Sequence, residues 1–153
     1  NGDLNPEVLE ILDLIKEYDA TVATGHISIG ESIAVCNAAR ERGVRTVLTH
    51  PDWTCTTVPA DVQTQLVKKG VILEKLWFDI GINHVTAEYM AQTIRDAGVE
   101  NCFMATDRGQ SGKEYPVEGI MMFMDAMLDC GFSVEEIHIM THENPERVLG
   151  LRP

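Results

Sequence analysis

Short apolar runs alternate with helical patterns along this chain at intervals of about 24 to 30 residues, and that alternation limits the fold more than any other feature. Asn5-Pro6 reads as a cap followed by a first-turn proline, after which Val8, Leu12 and Ile15 recur at helical spacing. Residues 20–24 predict a short buried strand. Ser28-Ile29-Gly30-Glu31 has the capping-box pattern and opens a helix that Gly43 closes, with a second strand over 44–49. Pro59 starts a third helix and Gly70 stops it. The run VILEKLWFDI predicts a third strand over 71–80, although Glu74 and Lys75 interrupt its apolar pattern. A helix over 86–97 ends at Gly98, and 101–106 predicts the fourth strand. Pro116 opens a methionine-rich helix to about Cys130, where Met121, Met122, Met124 and Met127 are expected to fill core against the sheet. Ser133 to Glu136 cap another helix, and Asn144-Pro145 begin a last short turn before Gly150.

Strand and helix in strict alternation predict βα units and a parallel sheet. Four units fit within a single domain covering residues 1–153, with no low-complexity linker. The turn after the first strand, Gly25 to Gly30, lacks the G-x-G-x-x-G spacing of a dinucleotide site.

Charge narrows the partners. A net charge of -12 argues against nucleic acid and against an anionic membrane surface, both of which are bound mainly through lysine and arginine. No stretch approaches the roughly 18 apolar residues of a membrane span. The chain begins Asn1-Gly2-Asp3 and shows no basic segment followed by an apolar one, so no signal peptide is expected, and coding sequence upstream is compatible with that start. Cys36, Cys55, Cys102 and Cys130 are scattered, with no Cys-x-x-Cys pair. Reduced and mostly buried thiols in a cytoplasmic protein are the expectation.

Three strand ends share a second pattern: Ala-Thr-Gly-His26, Leu-Thr-His50 and Ala-Thr-Asp107 each run from an apolar stretch through a threonine to a metal-ligand residue type. In a parallel barrel the C-terminal strand ends all open on one face, so His26, His50 and Asp107 are able to converge despite separations of 24 and 57 residues. Imidazole and carboxylate are the groups that hold zinc and similar ions in open catalytic sites. The arrangement suits metal-assisted hydrolysis. Around it, Trp53 is a candidate pocket wall, His84 after the third strand a candidate substrate contact, and Arg108 a candidate clamp for an anionic substrate group. Glu74 and Asp79 are charges in a strand and need partners; Asp79, near the strand end, is the better site candidate of the two. Cys55 is read as a non-ligand, and His138 and His142 as structural or exposed.

The order TGHIS, LTHPD, ATDRGQ and the tail His142-Glu143-Asn144-Pro145-Glu146-Arg147-Val148-Leu149-Gly150-Leu151 resembles the second half of an amidohydrolase-superfamily barrel, nearest to a cytosolic amidohydrolase-like branch. The resemblance covers nearly the whole chain. It implies an α/β fold whose parallel βα units form about strands 5–8 of a (β/α)8 TIM-type barrel. It further implies that His26 and His50 ligate metal, and that Asp107 ligates metal or acts as general base. The superfamily also uses a His-x-His pair on its first strand and a bridging lysine or glutamate on its fourth, and this chain has no His-x-His.

The resulting expectation is a metal-dependent hydrolase that cleaves a C–N or C–O bond of a small molecule (amide, cyclic amide, lactone or ester) with metal-activated water. The expected cofactor is one or two divalent ions, zinc first, with manganese, nickel or iron as alternatives. Decarboxylation or phosphoester cleavage on the same fold, and a non-catalytic barrel-half subunit, remain open. Half a barrel leaves two apolar parallel edges, so a second chain carrying the N-terminal half is the expected partner in an oligomeric assembly, ahead of a homodimer.

Overall fold

The structure is a computed structural model that describes residues 4–81 and 85–151. Four strands, β1 (Thr21–Ala23), β2 (Arg45–Leu48), β3 (Ile72–Leu76) and β4 (Cys102–Ala105), form one all-parallel sheet in the order β1-β2-β3-β4. Parallel neighbours need a crossover, and helices supply each one. Helix α1 (Pro6–Glu17) leads into β1, α2 (Ile29–Glu41) joins β1 to β2, α3 (Ala60–Val67) joins β2 to β3, and α4 (Ala87–Ala97) joins β3 to β4. Helix α5 (Pro116–Asp129) follows β4, and then α6 (Val134–His138), a π-helical turn (Ile139–Glu143) and α7 (Asn144–Val148) run on without a break.

Local chemistry accounts for the boundaries. Ser28 accepts a hydrogen bond from the Glu31 N–H while Glu31 Oε2 accepts from the Ser28 N–H, and Ser133 with Glu136 repeats the reciprocal cap. Asn5 makes no side-chain cap, so the first helix relies on Pro6 and its packing. Pro145 sits inside a helical segment, where its ring would strike the carbonyl of residue 141. The wide turn immediately before it absorbs that conflict. The expected last short turn is thus part of one helix with a π bulge.

The core lies between sheet and helices. Leu48, Leu73, Cys102 and Met104 project from the strands onto Met90, Ile94, Phe123 and Met127. Sequential strand order keeps the helices in one layer, since α1 packs on α2, α2 on α3, α3 on α4 and α4 on α5. The terminal helical segment closes the opposite end of the sheet from the strand tips. Asn144 Nδ2 donates to the Val99 and Cys102 carbonyls, and Thr21 Oγ1 to that of Val148, all at strand starts.

Three further expectations need correction. The third strand stops at Leu76, and Trp77–Asp79 forms a 3-10 turn. Met127 is buried and Met124 partly so, but Met121 and Met122 are exposed on the outer face of α5. Among the thiols, Cys36 and Cys102 are buried, whereas Cys55 is exposed and Cys130 half-buried.

Candidate functional site

The threonines that end the strands are structural. The Thr49 N–H donates to Thr24 Oγ1 at 3.0 Å and the Gly25 N–H to Thr49 Oγ1 at 3.2 Å, so the two hydroxyls continue the ladder between β1 and β2 past its last backbone pair. Thr106 does the equivalent beyond β4: its carbonyl accepts from the Phe78 N–H and its hydroxyl from the Arg108 N–H. His50 and Asp107 directly, and His26 after Gly25, thereby leave from a fixed point.

His50 and Asp107 both adopt left-handed backbone, with φ of 49° and 47°. His and Asp tolerate that region better than most residues, yet such positions concentrate at functional sites. His50 Nδ1 lies 3.1 Å from Asp79 Oδ1, and His50 Nε2 lies 3.2 Å from Asp107 Oδ2. The His26 ring, solvent-exposed, sits 5.1 Å from that of His50. Trp53 closes the group, its ring 5.0 Å from His26 and 5.4 Å from His50, and the Phe78 ring meets His50 edge-on. Three strand-end residues separated by up to 81 positions are therefore neighbours at one rim of the sheet.

Asp79 reaches this cluster because the 3-10 turn carries it there. Its side chain is fully buried, and Oδ2 has no hydrogen-bond partner among the described residues. Burial raises the Asp79 pKa above the ordinary carboxylate value, against the opposing pull of His50. Glu74 faces away from the helices on β3; its pKa is raised by burial first and also by the Asp107 and Asp79 charges, while His50 works to lower it. Burial works to lower the pKa of His50 itself, but the Asp79 hydrogen bond and the charges of Asp79, Asp107 and Glu74 outweigh it and leave it raised.

This geometry presents a choice. A neutral imidazole has one N–H and one lone pair. With its proton on Nδ1 toward Asp79, His50 turns a lone pair onto the Asp107 carboxylate. That contact is repulsive unless a proton or another cation lies between them.

Three further side chains are already engaged. Lys75 and Asp52 form a fully buried ion pair at 2.7 Å, with Gln63 Oε1 and Thr93 Oγ1 accepting further Lys75 hydrogen bonds and Gln63 Nε2 donating to Asp52. Asp52 lies in the loop between His50 and Trp53, so the pair pins that loop to β3. Arg108 is also committed, its Nε 2.5 Å from Glu114 Oε1, and this partner holds the Glu114 carboxyl down at about 2. The expected anion clamp is therefore tied to a carboxylate. His84 lies outside the described residues. His138 and His142 are exposed and stack on each other at 4.9 Å, away from the strand tips.

Among the described residues, no set of three or more His, Cys, Asp and Glu side chains is arranged to hold a metal ion. The residues fit a metal only as part of a ligand set. His50 Nε2 and Asp107 Oδ2 are separated by 3.2 Å, against about 3.3 Å between two ligands of one tetrahedral zinc. The Asp79 contact on Nδ1 is the support that metal-binding imidazoles receive on their other nitrogen.

A model described as a family of unknown function (DUF6282) matches residues 1–74, a span that contains His26, His50 and Trp53 but neither Asp79 nor Asp107. No curated protein and no solved structure matches the chain.

Proposed function

We propose that this chain is half of a (β/α)8 barrel and supplies one side of a metal-dependent hydrolase site. The observation that carries the reading is His50 held between two carboxylates, Asp79 on Nδ1 and Asp107 opposite Nε2. The barrel reading rests on strand order. A doubly wound sheet reverses its order and puts helices on both faces, whereas β1-β2-β3-β4 runs in sequence under one layer of helices.

His50 Nε2, Asp107 and His26 would hold the ion, with zinc favoured by the nitrogen and oxygen donors and manganese, nickel or iron as alternatives. Such an ion, when bound, supplies a water acidified to a pKa near 7 and a Lewis acid for the scissile carbonyl. The chain's own residues do the rest. Asp79 keeps the His50 proton on Nδ1 and so leaves Nε2 as a lone-pair donor. Asp107, with its side chain 44% exposed, is open to solvent and takes a proton from an attacking water. Trp53 and Phe78 wall the histidines and limit water at the site. The substrate class is a small molecule with a hydrolysable C–N or C–O bond. The remaining ligands would come from the other four strands, carried by a second polypeptide segment, which makes the active unit an assembly. A non-catalytic barrel-half subunit is the competing reading, favoured by the lack of a three-ligand set among the described residues.

Elemental analysis of the assembled protein separates the two. About one or more zinc, manganese, nickel or iron ions per assembly, lost in His50→Ala together with hydrolysis of an amide or lactone panel, is the expected result. A folded assembly that is metal-free and retains no metal after incubation with zinc would overturn the enzyme reading.

A further inference from the structure

At the opposite end of the sheet from His50, three arginines from three different elements line one cavity of about 250 Å3: Arg40 from α2, Arg45 from the start of β2 and Arg147 from α7. Asn101, just before β4, adds a polar group, and among the described residues no aspartate or glutamate lines the cavity, although the chain carries 24 acidic residues against 12 basic ones. In a chain of net charge -12, such a concentration of positive charge is local and against the general trend.

The guanidinium groups are held in place without being used up. Arg40 donates through Nε to the Lys69 carbonyl and through Nη1 to that of Val44, and its planar end packs so close to Gly70 that a β-carbon there would stand 2.9 Å from Nη2. Arg45 packs in the same way on Gly150 while pairing with Asp19, whose side chain is 82% exposed. Arg147 donates one Nη2 hydrogen bond, to the Glu100 carbonyl, and its buried Nε has no partner among the described residues. Each arginine has five N–H donors. Arg40 and Arg147 donate to neutral backbone carbonyls, which cancel little of their charge, whereas Arg45 gives Nε to Thr21 Oγ1 and Nη1 to the exposed Asp19 carboxylate.

We propose that this cavity binds a phosphoryl-type oxyanion, either free inorganic phosphate or the phosphate group of a small metabolite. Arginine forks match phosphate and carboxylate equally well one at a time. Three forks arriving from different directions suit a tetrahedral dianion better than a planar monoanion, which one fork satisfies. Since the strands separate this cavity from the His50 cluster, occupancy acts on the stability of the fold or as an effector, not as substrate binding.

Calorimetric titration of the full chain with inorganic phosphate, glycerol phosphate and acetate at matched ionic strength tests the assignment. Saturable phosphate binding is expected, with none for acetate, and a weakening of about tenfold or more in Arg147→Gln and in Arg40→Gln, the scale of one lost hydrogen bond to a charged group. His50→Ala is expected to leave it unchanged. Tighter binding of glycerol phosphate than of phosphate identifies a phosphorylated metabolite as the ligand, and the reverse order identifies the free anion. Should Arg147→Gln fail to fold, Arg40→Gln and Asn101→Asp carry the same test. Absence of saturable phosphate binding at millimolar concentration, or binding unaltered by both Arg40→Gln and Asn101→Asp, would overturn the proposal.

Discussion

His50 is held by a carboxylate at each ring nitrogen, and its ionisation follows from that position. Its folded pKa is raised above 6.5, so its contribution to stability is fully present below the unfolded value and is lost as pH rises through the higher folded one. In the metal-free protein, NMR titration of the His50 ring should therefore give a midpoint above 6.5, and Asp79→Asn should move that midpoint down. A midpoint below 6.5 in the parent chain would contradict the paired geometry. Zinc competes with the proton for Nε2, so adding it should abolish the titration instead of shifting it. Because the position is left-handed, His50→Asn is the control that removes the imidazole with the least backbone penalty.

At the scale of elements, β3 shows what a sequence discloses and what it withholds. The strand starts, the capping boxes at Ser28 and Ser133, and the His26, His50 and Asp107 strand ends were legible because each depends on residues a few positions apart. The length of β3 was not. Leu76-Trp77-Phe78 continues the apolar run, yet the strand gives way to a turn closed by the Ile80 N–H on the Trp77 carbonyl, while the Phe78 N–H still reaches the Thr106 carbonyl, 28 residues on. That turn sets Asp79 against His50, so the sequence marks Asp79 as a site candidate but does not disclose that its partner is the central imidazole. Lys75 interrupts the apolar pattern of its strand without a local partner because that partner, Asp52, lies 23 residues earlier. Both side chains of that pair are wholly buried, and removing one leaves the other charge uncompensated. Lys75→Ala should lower the unfolding free energy by about 3–5 kcal/mol in chemical denaturation. The double variant Lys75→Met with Asp52→Asn should cost clearly less than the sum of its single variants. Strict additivity would show that the two do not act as a unit.

For the whole molecule, the two outer helices carry the decisive information. Ile11, Leu14 and Tyr18 lie on and just beyond α1 at helical spacing and are exposed, as are Val117, Met121 and Leu128 on α5. These helices flank the two ends of the sheet, where β1 and β4 each have a single strand neighbour. Apolar stripes beside open parallel edges are what an incompletely covered core leaves behind, and two copies each at -12 repel one another. On the proposed half-barrel reading, a complementary segment with four further strands would cover both stripes and both edges at once, and would account for the exposure of Met121 and Met122, whose sequence reads as core. Ile11 and Met121 are both more than half exposed, so Ile11→Glu and Met121→Glu should each leave the isolated chain's thermal midpoint nearly unchanged while weakening assembly. Native mass spectrometry of the parent protein should show a species heavier than 17.0 kDa that both substitutions diminish. A parent chain that runs as a lone 17.0 kDa species, with solubility unaffected by either substitution, would mean that the edges and stripes are tolerated as they stand, and the half-barrel reading would fall with them.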